Sequence, residues 1–294
     1  MKKAAELHLT IFTAAIIITA ALLLQASCSS RPKNSGDVVD IRILAEKELA
    51  LANREAGRGN FETAHALLLE CKQRAILVDD VSLMIRSGLS LGNVLFTLGS
   101  RNEAFAEWEQ AIALAQKHGN RELLSVSKVY FARGRLLSGG ASAQTILDEV
   151  NSEAVNIKAD KLYIAFSWQV KGLALRELRS FREAEDAVKR SLDIHEKEIY
   201  LENASYDWYL IASIRSLSGN TSGALQALES SIALDRRVEN TWGLAADWRA
   251  MGDVHRKAGN NNEAMEAYQR SMAIFTAMGR DREAAEIKKR MDQP

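Results

Sequence analysis

Proline is almost missing from this 294-residue chain: only Pro32 and Pro294 occur, and residues 33–293 have none. At the usual ~5% that stretch would hold roughly a dozen. Proline lacks the helix N–H and clashes with the preceding turn, so long helices without proline-set loops are the simplest cause. Cysteine is scarce too. Cys28 and Cys71 alone cannot make a disulfide scaffold. Net charge is absent, with 38 Lys+Arg against 38 Asp+Glu, which excludes a polybasic nucleic-acid tail and an acidic disordered chain. The uncharged run from Leu9 to Leu24 has 16 residues, short of the ~20 that a spanning helix needs.

The N-terminus reads as an address. Lys2 and Lys3 precede the apolar run, and Gln25-Ala26-Ser27-Cys28 follows it, the order of a secretory signal. Small residues just before a cysteine resemble a bacterial lipoprotein signal, with one departure: Gln25 stands where leucine is usual. The resemblance implies a signal peptide over 1–27 and lipidation of Cys28, followed by a polar tether over 28–40. Multiple acyl chains would hold the chain on a membrane. Ser29 after the cysteine implies the outer membrane in a diderm cell. Ordinary cleavage near Ala26, or an uncleaved anchor, is the alternative.

The rest of the chain repeats every 40 residues, and such a period marks a repeat architecture. Ala52, Gly92, Ala132, Gly172, Ala212 and Gly252 form one series of small residues. Gly59, Gly99, Gly139, Gly219 and Gly259 form a second, with Arg179 filling its gap. Ala64, Ala104, Ala184, Ala224 and Ala264 form a third, and Trp168, Trp208 and Trp248 a fourth. Within a unit, Trp248, Met251, Gly252 and His255 lie on one helical face, Gly259-Asn260 breaks the helix, and Ala264, Tyr268, Ser271 and Met272 begin a second. Each small-residue series therefore marks a contact between helices. In the third unit Gln144 replaces the alanine, and a one-residue shift to Ala143, Leu147 and Val150 restores the apolar face. That unit reads as a kink or as a drifted repeat. Lys171, at a place normally apolar, has no explanation in the pattern.

Trp248, Met251, Gly252, His255, Ala264, Tyr268 and Ser271 occupy the places of W-x2-L-G-x2-Y followed by A-x3-F/Y-x2-A. The chain thus resembles tetratricopeptide repeat (TPR) proteins over residues 45–284. It departs in its period, 40 instead of 34, and in lacking the proline after the second helix. Repeats of this length resemble those of kinesin light chains, Pins-type polarity adaptors and several bacterial regulators, which bind peptides or protein segments. The fold expected is all-α: a right-handed α-solenoid of about six TPR-like helix-turn-helix repeats over 41–284, with a C-terminal capping helix over 285–294. Such a helix covers the apolar face of the last repeat.

No chemistry-bearing constellation appears. The histidines lie in different units without metal spacing, and there is no P-loop, G-x-G-x-x-G or G-x-S-x-G. Cys71 falls at a small core place and is expected to be a buried, inert thiol. No enzyme activity, metal or cofactor is expected.

The resemblance instead implies a concave groove lined by first helices, at places that follow the 3.6-residue period. These are Arg86, Leu89, Asn93, Phe96, Val129, Arg133, Phe166, Gln169, Arg176, Tyr206, Tyr209, Arg249, Asp253 and Arg256. With Glu46, Glu177 and Lys257, the charged lining is six basic against three acidic, which suits a peptide with apolar anchors and some acidic residues. Packing against neighbouring helices, or closure of the solenoid on itself, would use the same residues otherwise. The function expected is a non-catalytic interaction scaffold or adaptor, exported and lipid-anchored at the bacterial cell envelope, where envelope proteins are its partners and nucleic acid is not. The alternatives are a permanent assembly subunit using its outer surfaces and a small-ligand accessory protein of a transport system.

Overall fold

The computed structural model describes residues 35–292. The expected signal peptide, Cys28 and most of the tether lie outside them. Among the described residues the regular structure is entirely helical. Thirteen helices follow in order: α1 Ser35–Gly57, α2 Phe61–Leu77, α3 Val81–Leu98, α4 Arg101–Lys117, α5 Arg121–Ser138, α6 Ala143–Ala154, α7 Lys161–Glu177, α8 Phe181–Lys197, α9 Leu201–Leu217, α10 Thr221–Val238, α11 Thr241–Lys257, α12 Asn261–Ala277 and α13 Asp281–Met291. The chain divides between Ile41 and Arg42, and the helical repeats lie in the unit from Arg42 onward. Two expected boundaries fall inside helices. Residues 35–40 of the tether belong to α1, and the capping helix begins at Asp281, directly after the turn that Gly279 makes at φ 69°.

The helices stop on a 20-residue beat, half the repeat. A left-handed residue closes each turn at Gly59, Asp79, Gly99, Gly119, Gly139, Arg179, Ile199, Gly219, Glu239, Gly259 and Gly279. The next N–H then bonds back across the turn, as in Asn60 N to Glu55 O (2.9 Å) and Asn260 N to His255 O (3.0 Å). This is the Schellman arrangement, which satisfies the last carbonyls of a helix. Four first helices are started by side chains at one place of the 40-residue repeat: Asp80, Asn120, Asp160 and Asn240 each accept a backbone N–H of the first turn, and Tyr200 at the same place does not.

Ile199 is the costly member of this series. A β-branched residue at φ 62° meets the steric penalty of the left-handed region, roughly 1–2 kcal/mol. Its side chain is 71% exposed and has little packing to lose. After the entropy that glycine adds to the unfolded chain, Ile199→Gly is expected to stabilise by about 0.5–1 kcal/mol. Urea unfolding checks this; a variant no more stable than the parent contradicts the strain.

The helices pack as consecutive pairs. The small-residue series lies where the first helix of a pair meets the second. A Cβ on Gly92 would lie 2.2 Å from Trp108, on Gly172 2.4 Å from Val188, and on Gly252 2.6 Å from Tyr268. Successive first helices also touch, α3 on α5, α5 on α7, α7 on α9 and α9 on α11, so they form one continuous layer. Lys171 is explained here: its Nζ sits 5.1 Å from the centre of the Trp168 ring, a cation–π contact one turn away.

In the third unit, α6 has only 12 residues and buries Ile146 and Val150 while Asp148 and Asn151 face out. This agrees with the shifted register. The connector after α6 has no left-handed turn. Instead Glu122 Oε1 accepts the backbone N–H groups of Lys158 and Ala159, at 2.8 and 2.7 Å. Partial burial disfavours the Glu122 carboxylate, but these backbone donors outweigh it and hold its pKa below the ordinary range.

The first pair is docked against the last ones. In the turn between α1 and α2, Arg58 pairs with Glu239 at 2.6 Å, and its carbonyl accepts the Thr241 hydroxyl at 2.7 Å. Phe61 meets Trp242 edge to face, with centroids 4.8 Å apart. Arg280, at the start of α13, bonds the Gly59 carbonyl, pairs with Glu62 at 3.0 Å and covers the Phe61 ring. The solenoid closes on itself within six repeats, and the layer of first helices becomes the lining of an enclosed groove.

Candidate peptide-binding groove

The fourteen expected groove residues lie in different surroundings. Leu89, Val129 and Gln169 are buried, at 1%, 1% and 4% exposure. They are packing residues, because their places lie where adjacent first helices touch. Phe96 and Phe166 are engaged by neighbouring aromatics: Phe96 lies 5.8 Å from Trp108, and Phe166 lies 4.2 Å from Tyr130. Asn93 is half-buried. In the last repeat Asp253 accepts from the Tyr268 hydroxyl (2.7 Å) and from Arg290 of α13 (2.9 Å), while Arg256 bonds the Arg290 carbonyl. Arg86, Arg133, Tyr206, Tyr209 and Arg249 are half-buried, and among the described residues none of the three arginines has an ion-pair partner.

Two cavities flank Tyr209. One, of about 430 Å³, is lined by Arg176, Tyr209, Ser213, Ser216, Leu217 and Asp253 among others, from α7, α9 and α11. Arg176 is held there by Glu177 at 2.6 Å and by the Ser213 hydroxyl at 3.2 Å. The other, of about 380 Å³, lies between α9, α10, α11 and the end of α1, with Tyr206, Tyr209, Trp242, Asp235, Asp247 and Arg249 in its wall. Tyr206 and Tyr209 stack with centroids 6.1 Å apart and planes 14° from parallel. The structure thus brings Arg176, Tyr206, Tyr209, Arg249 and Asp253 together along adjoining cavities. Both volumes fall in the range of ordinary ligand sites.

A further cavity, of about 490 Å³, opens between α5 and the short α6. Two of its three carboxylates are paired with cations, Glu153 with Lys128 at 2.7 Å and Glu149 with Arg135 at 2.9 Å, and the third, Asp148, accepts from the Gln144 amide at 2.9 Å. It is a gap left by α6, bridged by ion pairs. Cys71 is fully buried, and burial first of all, then the charge of Glu48, pushes its thiol up to about 11. Such a thiol is inert at neutral pH. Among the described residues no three His, Cys, Asp or Glu side chains converge as metal ligands do.

Buried polar side chains recur at one place of the repeat. Ser87, Ser127, Ser167, Asp207 and Asp247 are 40 residues apart and all buried. Asp207 is satisfied: His195 Nδ1 lies 2.6 Å from its Oδ2, and Gln169 Nε2 donates to Oδ1 at 2.8 Å. Burial raises the Asp207 pKa, and these two partners work against that. One repeat later Asp235 stands in the place of His195, and Tyr209 in the place of Gln169. Asp247 therefore faces a second buried carboxyl, and its Oδ2 has no hydrogen-bond partner. Asp235 accepts from Asn240 Nδ2 at 2.9 Å, has the Ser205 hydroxyl beside it, and lies against Gly243, where a Cβ would come within 2.2 Å of its Oδ2. Burial is the main cause that raises both pKa values; the charge of Asp235 raises that of Asp247 further, and Glu202 that of Asp235.

Sequence reasoning missed Asp235, Asp247 and Trp242. The signal for Asp247 was the 40-residue line that runs from serine to aspartate, and for Asp235 the line on which it follows His195. For Trp242 it was a tryptophan off the beat of Trp168, Trp208 and Trp248.

No family model matches the chain, and no curated protein matches it in sequence. Solved structures do. A Rap protein crystallised in complex with competence and sporulation factor is similar over 83% of this chain and 72% of its own, with a TM-score of 0.58 at 14% identity. A thermophilic TPR protein of Thermus thermophilus is similar over 69% of this chain and 98% of its own, with a TM-score of 0.48 at 15% identity. The fold is a TPR-like α-solenoid.

Proposed function

We propose that the chain is a non-catalytic scaffold that holds a peptide or protein segment in the groove lined by α7, α9 and α11. The observation that carries this reading is the pair of adjoining cavities around Tyr209. Their half-buried aromatic and arginine side chains are not needed to pack the repeats, and tyrosine and arginine are the residue types that concentrate binding energy at interfaces. The Rap protein of similar fold was crystallised with competence and sporulation factor, which supports a ligand for this architecture. Closure of the solenoid and cavities of about 380 and 430 Å³ limit the occupant to a short segment. They also favour the second reading, a small ligand, over an assembly subunit working through its outer faces. Export and lipid attachment at Cys28 complete the proposal and rest on the N-terminal pattern.

The test is crosslinking in membranes followed by mass spectrometry, on the parent chain, on Arg86→Glu with Tyr209→Ala, and on Cys28→Ser. The expected result is a partner lost from the double groove variant and carried into the soluble fraction with Cys28→Ser. A partner retained by the double variant moves the function to the outer surfaces. A parent chain that takes up no labelled palmitate refutes the lipid anchor.

A further inference from the structure

We propose that the cavity walled by Asp235, Asp247, Tyr206, Tyr209 and Trp242 binds an organic cation, a protonated amine or a guanidinium, carried by the groove's ligand. This deepens the groove reading and rests on it.

The repeat supplies its own control. At the junction of α8 and α9, a buried aspartate has a histidine and a glutamine amide as partners within 2.8 Å. At the equivalent junction of α10 and α11, the histidine is replaced by Asp235 and the glutamine by Tyr209. Asp247 is 1% exposed, and its Oδ2 is left without a donor. Burying an unpartnered carboxyl is costly, and one repeat earlier the equivalent carboxyl of Asp207 has a partner on each oxygen. Without a ligand, a proton shared between the two carboxyls relieves their repulsion. A cation entering the cavity would replace that proton and occupy the place beside the aspartate that the His195 ring fills one repeat earlier.

The surroundings fit that occupant. Three aromatic rings wall the cavity, and ring faces attract cations. Enclosure between α9, α10 and α11 lowers the local dielectric and strengthens the pairing. The neighbouring charges are accounted for. Glu202 of α9 adds negative charge and lies within reach of Arg54 and Arg58. Arg58 is paired with Glu239. Among the described residues, Arg249 is the one basic side chain in the wall. It can take a carbonyl or carboxylate of the same ligand, so the cavity suits a cationic group with an acceptor close to it. The groove then has a polarity that residue counting alone does not reveal: Arg86 and Arg133 on α3 and α5, two carboxyls between α10 and α11.

Two probes separate the sources of such a cation. Cadaverine stands for a free amine, and the blocked peptide acetyl-Ala-Leu-Arg-Leu-Ala-amide for a protein segment. Each is titrated calorimetrically into the full chain at about pH 8, where an ordinary carboxyl is ionised. At least one should bind, with release of protons. Asp247→Asn and Asp235→Asn should each weaken it about tenfold or more, as loss of a buried charge partner does, whereas Lys189→Ala on the far side of α8 should not. Thermal melts of both Asn variants guard against misfolding. Binding by neither probe, or equal binding by the parent and Asp247→Asn, overturns the proposal. The membrane crosslinking keeps the two readings apart. A partner lost from the double groove variant but retained by Asp247→Asn sinks the cation site and leaves the groove. Cadaverine binding that depends on Asp247, with every partner retained by the groove variant, leaves the cation site and sinks the segment.

Discussion

Trp108→Ala is expected to cost about 3–5 kcal/mol, the range for truncating a buried tryptophan. Trp108 is fully buried and donates its indole N–H to the Leu89 carbonyl at 3.3 Å. It lies between two glycines on successive first helices. A Cβ would come within 2.2 Å of its ring at Gly92 and 2.3 Å at Gly134. Those backbones approach so closely because the ring replaces their side chains, and they cannot collapse into the space it leaves. Phe105 packs edge to face against it at 5.4 Å and passes the contact on to Phe131 at 5.3 Å. The substitution therefore weakens the joint between the second and third repeats as well as one pair. Solenoid stability is largely a sum of repeats and nearest-neighbour interfaces, so the variant should unfold in two steps where the parent unfolds in one. Equilibrium urea unfolding followed by circular dichroism measures both. A loss below about 1 kcal/mol would mean that the glycines do not hold the ring as described.

Asp247→Asn should make the protein more stable at alkaline pH, on the order of 2 kcal/mol, with little effect in acid. The sign follows from proton binding. Both carboxyls have raised pKa values in the folded chain. Above about pH 4 the unfolded chain releases protons that the folded chain keeps. The folded state then binds more protons than the unfolded one, and stability falls as pH rises through the raised range. The groups that face the pair are Glu202, Tyr206 and Tyr209 from α9, Arg249 from α11 and Asn240 from the connector. Asparagine at 247 carries no charge and can donate to Asp235, as the Gln169 amide donates to Asp207. Unfolding of both chains at about pH 5 and about pH 8.5 isolates the effect, because all other titrations are shared. Parallel curves would show that folding does not raise the pKa of Asp247.

The two predictions differ in how far a reader of the sequence could have reached them. The place of Trp108 in a second helix follows from the 40-residue beat, and so does its contact with Gly92. Its contact with Gly134 does not, because Gly134 belongs to none of the small-residue series. The aspartates lie on two visible lines of equivalent places, Asp235 after His195 and Asp247 after Asp207, but their confrontation requires knowing that the end of one second helix meets the start of the next first helix. Among the groove residues, Tyr206, Tyr209, Arg176, Arg249 and Asp253 were legible as helix positions. Leu89, Val129 and Gln169 share the same periodicity yet are buried, because periodicity reports the face of a helix and not how near the next helix lies.

The residues alone determined the helices, their pairing and their number. Proline is missing from 33–293, small residues recur where backbones must touch, and turn residues fall on a fixed interval. Each of these acts within one repeat or between neighbours, where a few residues carry the whole cause. Closure belongs to the tertiary structure. It arises from small rotations summed over six repeats, which bring Arg58 to Glu239 and Phe61 to Trp242 across about 180 residues of chain. No local pattern encodes such a sum. The enclosed groove, and the pair of carboxyls left facing each other in its wall, exist only once that sum is complete.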